Sequence, residues 1–324
     1  MINEVRQTVL AIANKNNYGY IPPEDFNNYA RHAQMDAFKE FFYDYNDQVN
    51  RLNKRVAVNQ STAVSAATNE AYGDLAERKR QVIERFSEIK CLDNIASSGS
   101  HVFDKPSDLY LLNKLVYYNT ENASGTQTAF SLTPSAPTLT DTGATFTSSV
   151  SVGDLVVNTY TSDTAFVTSV TDTVLGLTED IFKNLGGGLY MTYKIFNPSK
   201  YSEIEIQDSS KIWSLDSSNL TKPTTMFPSC LMQGDNVIMY PNSITNKGSV
   251  IAQYIRQPLD PAWTGFAEGL FNPSEPGYQD FELPESEIPL LVNKILQLAG
   301  VSIRDEQVYQ YTVGQASIED VQDK

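Results

Sequence analysis

The chain has 324 residues, enough for two domains of ordinary size, and 41% of them are hydrophobic, which supports real cores. A formal charge of -15 at pH 7 excludes gripping nucleic acid or an anionic membrane by bulk attraction. Cys91 and Cys230, the only cysteines, are too few for a disulfide framework, and reduced thiols are expected.

Ile2, Val5, Val9 and Ile12 are spaced for a short amphipathic helix, which Asn14 to Gly19 ends. These first residues do not read as a signal peptide, and no run of 18 apolar residues follows anywhere. The expectation is a chain made in a cytoplasm that stays soluble until it is assembled. The longest helical pattern comes next, from Tyr20 to Arg55. Pro22 and Pro23 mark its start, and Glu24 and Asp25 suit the positive end of the helix dipole. Phe26, Ala30, Ala33, Ala37 and Phe41 make one apolar stripe. Met35, Phe38, Phe42, Val49, Leu52 and Val56 make a second. One apolar face is usual for a helix in a monomer. Two faces predict packing on both sides, either as a central core helix within its own domain or with a neighbouring subunit on one side.

Ala57 to Ala71 is small and polar and reads as a looser helix or a loop. Leu75, Val82, Phe86 and Ile89 predict another helix, with Arg78, Lys79, Arg80, Arg85 and Lys90 as a basic face, either solvated or opposed to an acidic surface. After an extended stretch from Val102 to Pro106, Leu109 to Tyr118 reads as a buried strand. Between Thr120 and Thr178, 24 residues are Ser or Thr, and short alternating runs (Ala144–Phe146, Asp154–Val157, Ala165–Val170, Val174–Leu177) are separated by Gly, Asp and Pro. That texture predicts a small all-β domain inserted over about 120–193. Gly186, Gly187 and Gly188 lack the context of a phosphate loop and read as a turn or hinge.

Tyr201 to Ile206 alternates as a half-exposed strand, and Ser210 to Leu220 is a short helix or turn. Thr221 to Pro228 is extended. Gln233 to Asn236 reads as a strong turn feeding Val237 to Tyr240. After a next turn over Pro241 to Lys247, the strand Val250 to Arg256 is predicted to return as the other arm of a hairpin with this longer loop. Residues 262–282 form an aromatic loop long enough to be functional or to lie against a partner. Pro284 to Glu287 opens a last helix with Leu290, Leu291, Ile295, Leu298 and Ala299 as its apolar face and Gly300 as its cap.

Catalytic chemistry is hard to find. His32 and His101 are the only histidines and neither has a metal-spaced partner. No nucleophile elbow, P-loop or dinucleotide fingerprint is present. Asp141, Asp154, Asp163 and Asp172 lack a calcium-loop pattern and read as solvated turn acids. The expectation is a non-enzyme without cofactor or metal.

Several stretches carry a family likeness: YGYIPPEDFNNYARHAQMDAFKEFFYDYN, FDKPSDLYLLNKLVYYN, SKIWSLDSSNLTKPTTMFP, QGDNVIMYP with VIAQYIRQPLDPAW, and YQDFELPESE leading to LAGVSIRDEQVYQY. In these the chain resembles head–tail neck proteins of tailed bacteriophages, and among them those of crAss-like phages of gut Bacteroidales. The likeness covers most of the chain outside 120–193, where the match is one of texture. It has no signature catalytic residue. It implies an α+β fold: a helical connector domain with an antiparallel β portion and an inserted small all-β domain. The parts would be 1–119 (helices and first strand), 120–193 (insertion), 194–283 (hairpin and aromatic loop) and 284–324 (last helix and tail).

The resemblance implies a ring of about twelve copies in the virion neck. Its partners would be the portal protein, other neck or tail ring proteins, fibres reached through the β-insertion, and double-stranded DNA passing through the lumen without specific binding. The candidate residues for contacts with copies or partners are Phe38, Phe41, Phe42, Tyr45, Trp263, Phe266, Phe271, Tyr309 and Tyr311. An alternative is a virion surface module whose β-domain holds fibres or recognises a host glycan.

Overall fold

The computed structural model describes residues 1–13, 21–58, 77, 79–94, 100–130, 137–183, 190–265 and 270–303, and for 47–58 and 301–303 the helical backbone alone. The fold is mixed α+β and mostly strands. It divides into two compact units, a helical one from Met1–Phe86 with Gln257–Lys324 and a β one from Ser87–Arg256. The cuts differ from the expected bounds: the strand expected at the end of 1–119 belongs to the β unit, and the aromatic loop belongs with the helices.

In the helical unit, α1 spans Ile2–Ala13 and α2 spans Pro23–Val58. Phe26, Ala30, Ala33, Ala37 and Phe41 of α2 are all buried, as their three-and-four spacing predicts. α3 (79–84) follows. α5 spans Ile288–Ile303 and packs against both α1 and α2. Its buried face is Leu291, Val292, Ile295, Leu296 and Ala299. Leu290 and Leu298, expected there, are half-buried, and Gly300 lies inside the helix rather than capping it. Ile12 is similarly exposed, while Arg6 takes the buried position beside Val5 and Val9.

The loop between the units' boundary and α5 is tied to α1 and α2 by side-chain amides. Asn27 accepts from the Trp263 backbone N–H at 2.8 Å and donates to its carbonyl at 3.2 Å. Two helical turns later, Gln34 donates to the Leu259 carbonyl at 2.7 Å and accepts from the Glu282 N–H at 3.2 Å. Asp280 caps α1 by accepting from the Ile2 N–H at 2.7 Å.

The β unit begins where a helix was expected: Ile89 lies on strand β1, Ser87–Cys91. The strands after it are β2 (Asp93–Asn94), β3 (Val102–Asp104) and β4 (Leu109–Tyr117). The inserted segment supplies β5 (Ala123–Thr126), β6 (Thr138–Thr140), β7 (Leu155–Asn158), β8 (Thr164–Val170), β9 (Val174–Leu177) and β10 (Thr192–Phe196). Then come β11 (Ser202–Glu203), β12 (Glu205–Gln207), helix α4 (Ser209–Ser217), β13 (Ser229–Gln233), β14 (Asn236–Tyr240) and β15 (Val250–Arg256).

Two sheets, β1-β15-β4-β11 and β12-β13-β14-β3-β2, face each other across a core of Phe103, Leu115, Tyr117, Met239, Ala252 and Tyr254, among others. All pairings are antiparallel except β12 with β13. The expected Tyr201–Ile206 strand is two, β11 in one sheet and β12 in the other, with buried Ile204 between them. The expected hairpin of β14 with β15 does not form. β14 turns back on β13 through Gly234 and Asp235, and Gly234 at φ 58° supplies the positive-φ position that such a two-residue turn requires. β15 instead pairs β1 and β4. Leu109–Tyr117 is a strand as expected, but Tyr110 and Leu111 are exposed; Leu115 and Tyr117 are buried in the core, and Leu109 and Leu112 pack against it partly buried.

The third sheet, β5-β10-β7-β8-β9-β6, curls until the chain after β5 meets β6: the Thr128 N–H donates to the Thr140 carbonyl at 2.7 Å. Leu139, Phe146, Val156, Leu175 and Ile195 fill its interior. Ala144–Phe146, expected as a strand, instead leads into a 3-10 turn at Phe146–Ser148, which turns Phe146 inward. Gly125 passes so close to this core that an added Cβ would sit 2.7 Å from the Tyr193 hydroxyl. The sheet ends beyond residue 193, because Thr192–Phe196 supplies β10. It also shares a cluster with the sandwich: Cys91 and Ile251 pack with Leu155, Val157 and Phe196, and Tyr118 stacks on Phe196 at 5.0 Å. The triple glycine lies outside the described residues.

Candidate interaction surface

Several groups that could carry chemistry are buried. Cys91 and Cys230 lie in the β core, and burial pushes both thiols up to about 12, so they stay protonated and unreactive near neutrality. Asp141 and Asp154, expected as solvated turn acids, are buried. Asp141 accepts from the Tyr193 hydroxyl at 2.7 Å and from the Gly143 N–H at 2.9 Å. Asp154 accepts from Asn122 and from the Ser151 N–H, both at 3.0 Å. Burial first, and then Asp141, pushes the Tyr193 hydroxyl above its ordinary range. Tyr254 is raised in the same way, by burial and by Asp108, which accepts a 2.9 Å hydrogen bond from its hydroxyl. Among the described residues no group of three or more His, Cys, Asp or Glu could hold a metal ion, and no helix is long and apolar enough to cross a membrane.

Three residues of the basic run pair with the chain's own acids, while Arg85 is exposed. Lys79 pairs Asp44 at 3.0 Å, Arg80 pairs Glu77 at 2.6 Å and Glu84 at 3.0 Å, and Lys90 pairs Glu88 at 3.0 Å. Arg78 lies outside the described residues.

The candidate interface residues from the sequence divide into three groups. Phe38, Phe41 and Trp263 are buried inside the helical unit. Phe38 makes edge contacts with Phe42 at 5.1 Å and Phe86 at 5.0 Å, and the Lys79 ammonium lies over Phe41. Trp263 donates its indole N–H to Asn3 at 3.1 Å, and the Arg6 guanidinium lies 4.0 Å above its ring. Gly265 must be glycine here, because an added Cβ would meet that ring at 2.4 Å. These three aromatics have no surface left to offer a partner. Phe42, Tyr45 and Phe271 are half-buried, with Phe271 set between Trp263 and Tyr278. Phe266, Tyr309 and Tyr311 lie outside the described residues.

The exposed apolar surface is elsewhere. Between β12 and β13 the chain makes an arm, Ser209–Pro228, with Trp213 75%, Leu220 95%, Met226 72% and Phe227 79% exposed. Single exposed apolar residues are ordinary, but four large ones within fifteen residues are not. The arm is anchored: Ile212 of α4 is buried, and so are Pro223 and Pro228. The Lys222 N–H donates to the Ser218 carbonyl at 3.0 Å. Thr224 and Phe227 exchange backbone hydrogen bonds at 3.2 and 3.1 Å. Lys222 reaches Asp216 at 3.5 Å. The side chains are therefore presented on a built scaffold. A signal for this was in the sequence: Ile212 and Trp213 are adjacent on one helix, about 100° apart, so a short helix that buries Ile212 turns Trp213 away.

No protein-family model matches this chain, and no curated protein matches it.

Proposed function

We propose that this chain is a structural subunit of a ring in the head-to-tail neck of a tailed phage, joining portal to tail and enclosing the DNA channel. The observation that carries the reading is the anchored arm with Trp213, Leu220, Met226 and Phe227 turned to solvent, on a chain whose two thiols are buried. Such a surface costs solubility unless a partner covers it. The arm is also one of the stretches, SKIWSLDSSNLTKPTTMFP, that resemble neck proteins. The net charge of -15 suits a wall along which DNA slides without sticking, since like charges repel the phosphates.

Mass photometry of the purified chain, followed by negative-stain averaging, tests this. The expected result is a closed ring of about twelve copies, alone or once the portal protein is added. A chain that neither self-assembles nor binds portal would remove the reading.

A second reading takes the curled sheet as a virion surface module that holds fibres or a glycan. Tyr160, Phe166 and Tyr190 are exposed on it, and Tyr190 stacks on Phe130 at 5.3 Å. Glycan-array binding that is lost in a Tyr160→Ala, Tyr190→Ala variant would favour it.

A further inference from the structure

We infer that the inserted sheet has a guarding function: through the turn between β7 and β8 it closes the outer edge of β1 against strand addition by another copy of this chain. The guard acts within a single chain, so it does not depend on the ring.

β1 is the terminal strand of its sheet, so its backbone groups alternate between β15 and the open side. Leu92, just past its end, donates its N–H inward to the Val250 carbonyl at 2.9 Å. Cys91, one residue earlier, directs its N–H outward, and the Ser162 carbonyl accepts it at 2.9 Å. On the same outer side the Ile89 carbonyl accepts from the Thr164 hydroxyl at 2.7 Å. Lys90 and Asp163 lie opposite each other between these two contacts, as residues of an antiparallel pair do. The turn stands where the next strand would. An edge strand left open is a template for another chain. Here the face beside the edge is apolar as well: Cys91, Val116 and Ile251 pack against Leu155, Val157 and Phe196 of the inserted sheet. Without that sheet, an open edge and an apolar face would meet at β1.

The turn is built for this position. Ser162 sits at φ 65°, where a side chain other than glycine is strained. Its N–H donates to the Asn158 carbonyl at 2.9 Å. The Asn158 side chain accepts from the Tyr160 and Thr161 N–H groups at 2.8 and 3.3 Å, and it is fully buried and donates to the Ile181 carbonyl at 2.7 Å. A strained residue over-determined by its surroundings, whose carbonyl meets β1, is what an edge guard requires.

Ser162→Pro tests this in the full chain, since proline can neither adopt a positive φ nor donate to Asn158. Amide exchange and sedimentation velocity are measured across a range of protein concentration. The expected result at low concentration is a Cys91 amide that exchanges about tenfold or more faster than in the wild type, with Leu92 unchanged because its bond points inward. At high concentration the variant is expected to associate beyond the wild type, with the Cys91 amide protected again by the added strand. Ile89→Lys in the same background puts a charge at an exposed position of this strand and is expected to abolish the excess association. Ser162→Gly keeps the positive φ and is expected to behave as the wild type.

A Cys91 amide that stays protected in Ser162→Pro, or one that is deprotected with no excess association at any concentration, overturns the guard. So does excess association that Ile89→Lys leaves intact. If Leu92 exchanges faster too, the proline has unfolded the sheet rather than opened its edge, and Gly248→Ala decides. Its added Cβ would come 3.0 Å from Thr159 and 3.1 Å from Lys194, wedging the inserted sheet from the sandwich side. The same pattern of exchange and association in that variant supports the guard, and its absence overturns it.

Discussion

The two tryptophans of the chain have opposite fates. Trp263, in the aromatic loop of the helical unit, is 4% exposed and is held by Asn3, Arg6 and Asn27. Trp213, in the arm of the β unit, faces solvent. Both stand in loop-rich stretches marked by prolines and aromatics, and both read alike as sequence. What separates them is the availability of a face. The loop around Trp263 lies along two amphipathic helices whose amides, Asn27 and Gln34, satisfy its backbone. The arm has anchor points for Ile212, Pro223 and Pro228, but among the described residues none covers Trp213, Leu220, Met226 or Phe227. A composition that suits an interface can therefore be consumed by the chain's own fold, and only the burial of each ring separates a core aromatic from a contact residue.

The largest effect that would break this contrast is expected at Trp263. Trp263→Ala leaves a cavity beneath Arg6 and costs about 3–5 kcal/mol, enough to lower the unfolding midpoint of the helical unit in a urea titration. A loss below about 1 kcal/mol would mean the ring is not the unit's staple.

A smaller effect concerns pH. Tyr193, Tyr254, Cys91 and Cys230 are all raised above their ordinary values in the folded chain, mainly by burial, so folding favours their neutral forms. The stability they contribute is complete below the unfolded values, 9.0 for the thiols and 10.0 for the tyrosines. It is lost as pH rises above them. Urea midpoints of the β unit should hold from pH 7 to 8 and then fall steadily toward pH 11. Tyr254→Phe should cost about 1 kcal/mol at pH 7, by removing the hydroxyl that donates to Asp108, and should make the alkaline fall shallower. An unchanged slope would show that the tyrosine does not titrate with unfolding.

The smallest effect is expected at Trp213. Trp213→Ser should change stability by less than about 0.5 kcal/mol. In a Trp263→Phe background, iodide should quench the remaining tryptophan of the monomer strongly, and weakly once copies assemble. Strong quenching in both states would argue that the arm stays uncovered.

Local pattern determined much of this protein. The stripe Phe26, Ala30, Ala33, Ala37 and Phe41 specifies α2 because its spacing matches the helical repeat. The runs that became β8 and β9 were equally plain, since alternation along a strand needs no knowledge of what it pairs with. Pairing was another matter. That β15 joins β1 and β4 rather than β14 is decided by contacts far apart in sequence, and a tight turn at Gly234 and Asp235 outcompeted the longer loop that proximity suggested. Ile89 became a strand residue because β15 offered it an edge, overriding a helical spacing. The fate of each aromatic ring belonged to the same class. Burial depends on which surfaces the folded chain brings together, and only the tertiary structure placed Trp263 under two helices and left Trp213, Leu220, Met226 and Phe227 in solvent.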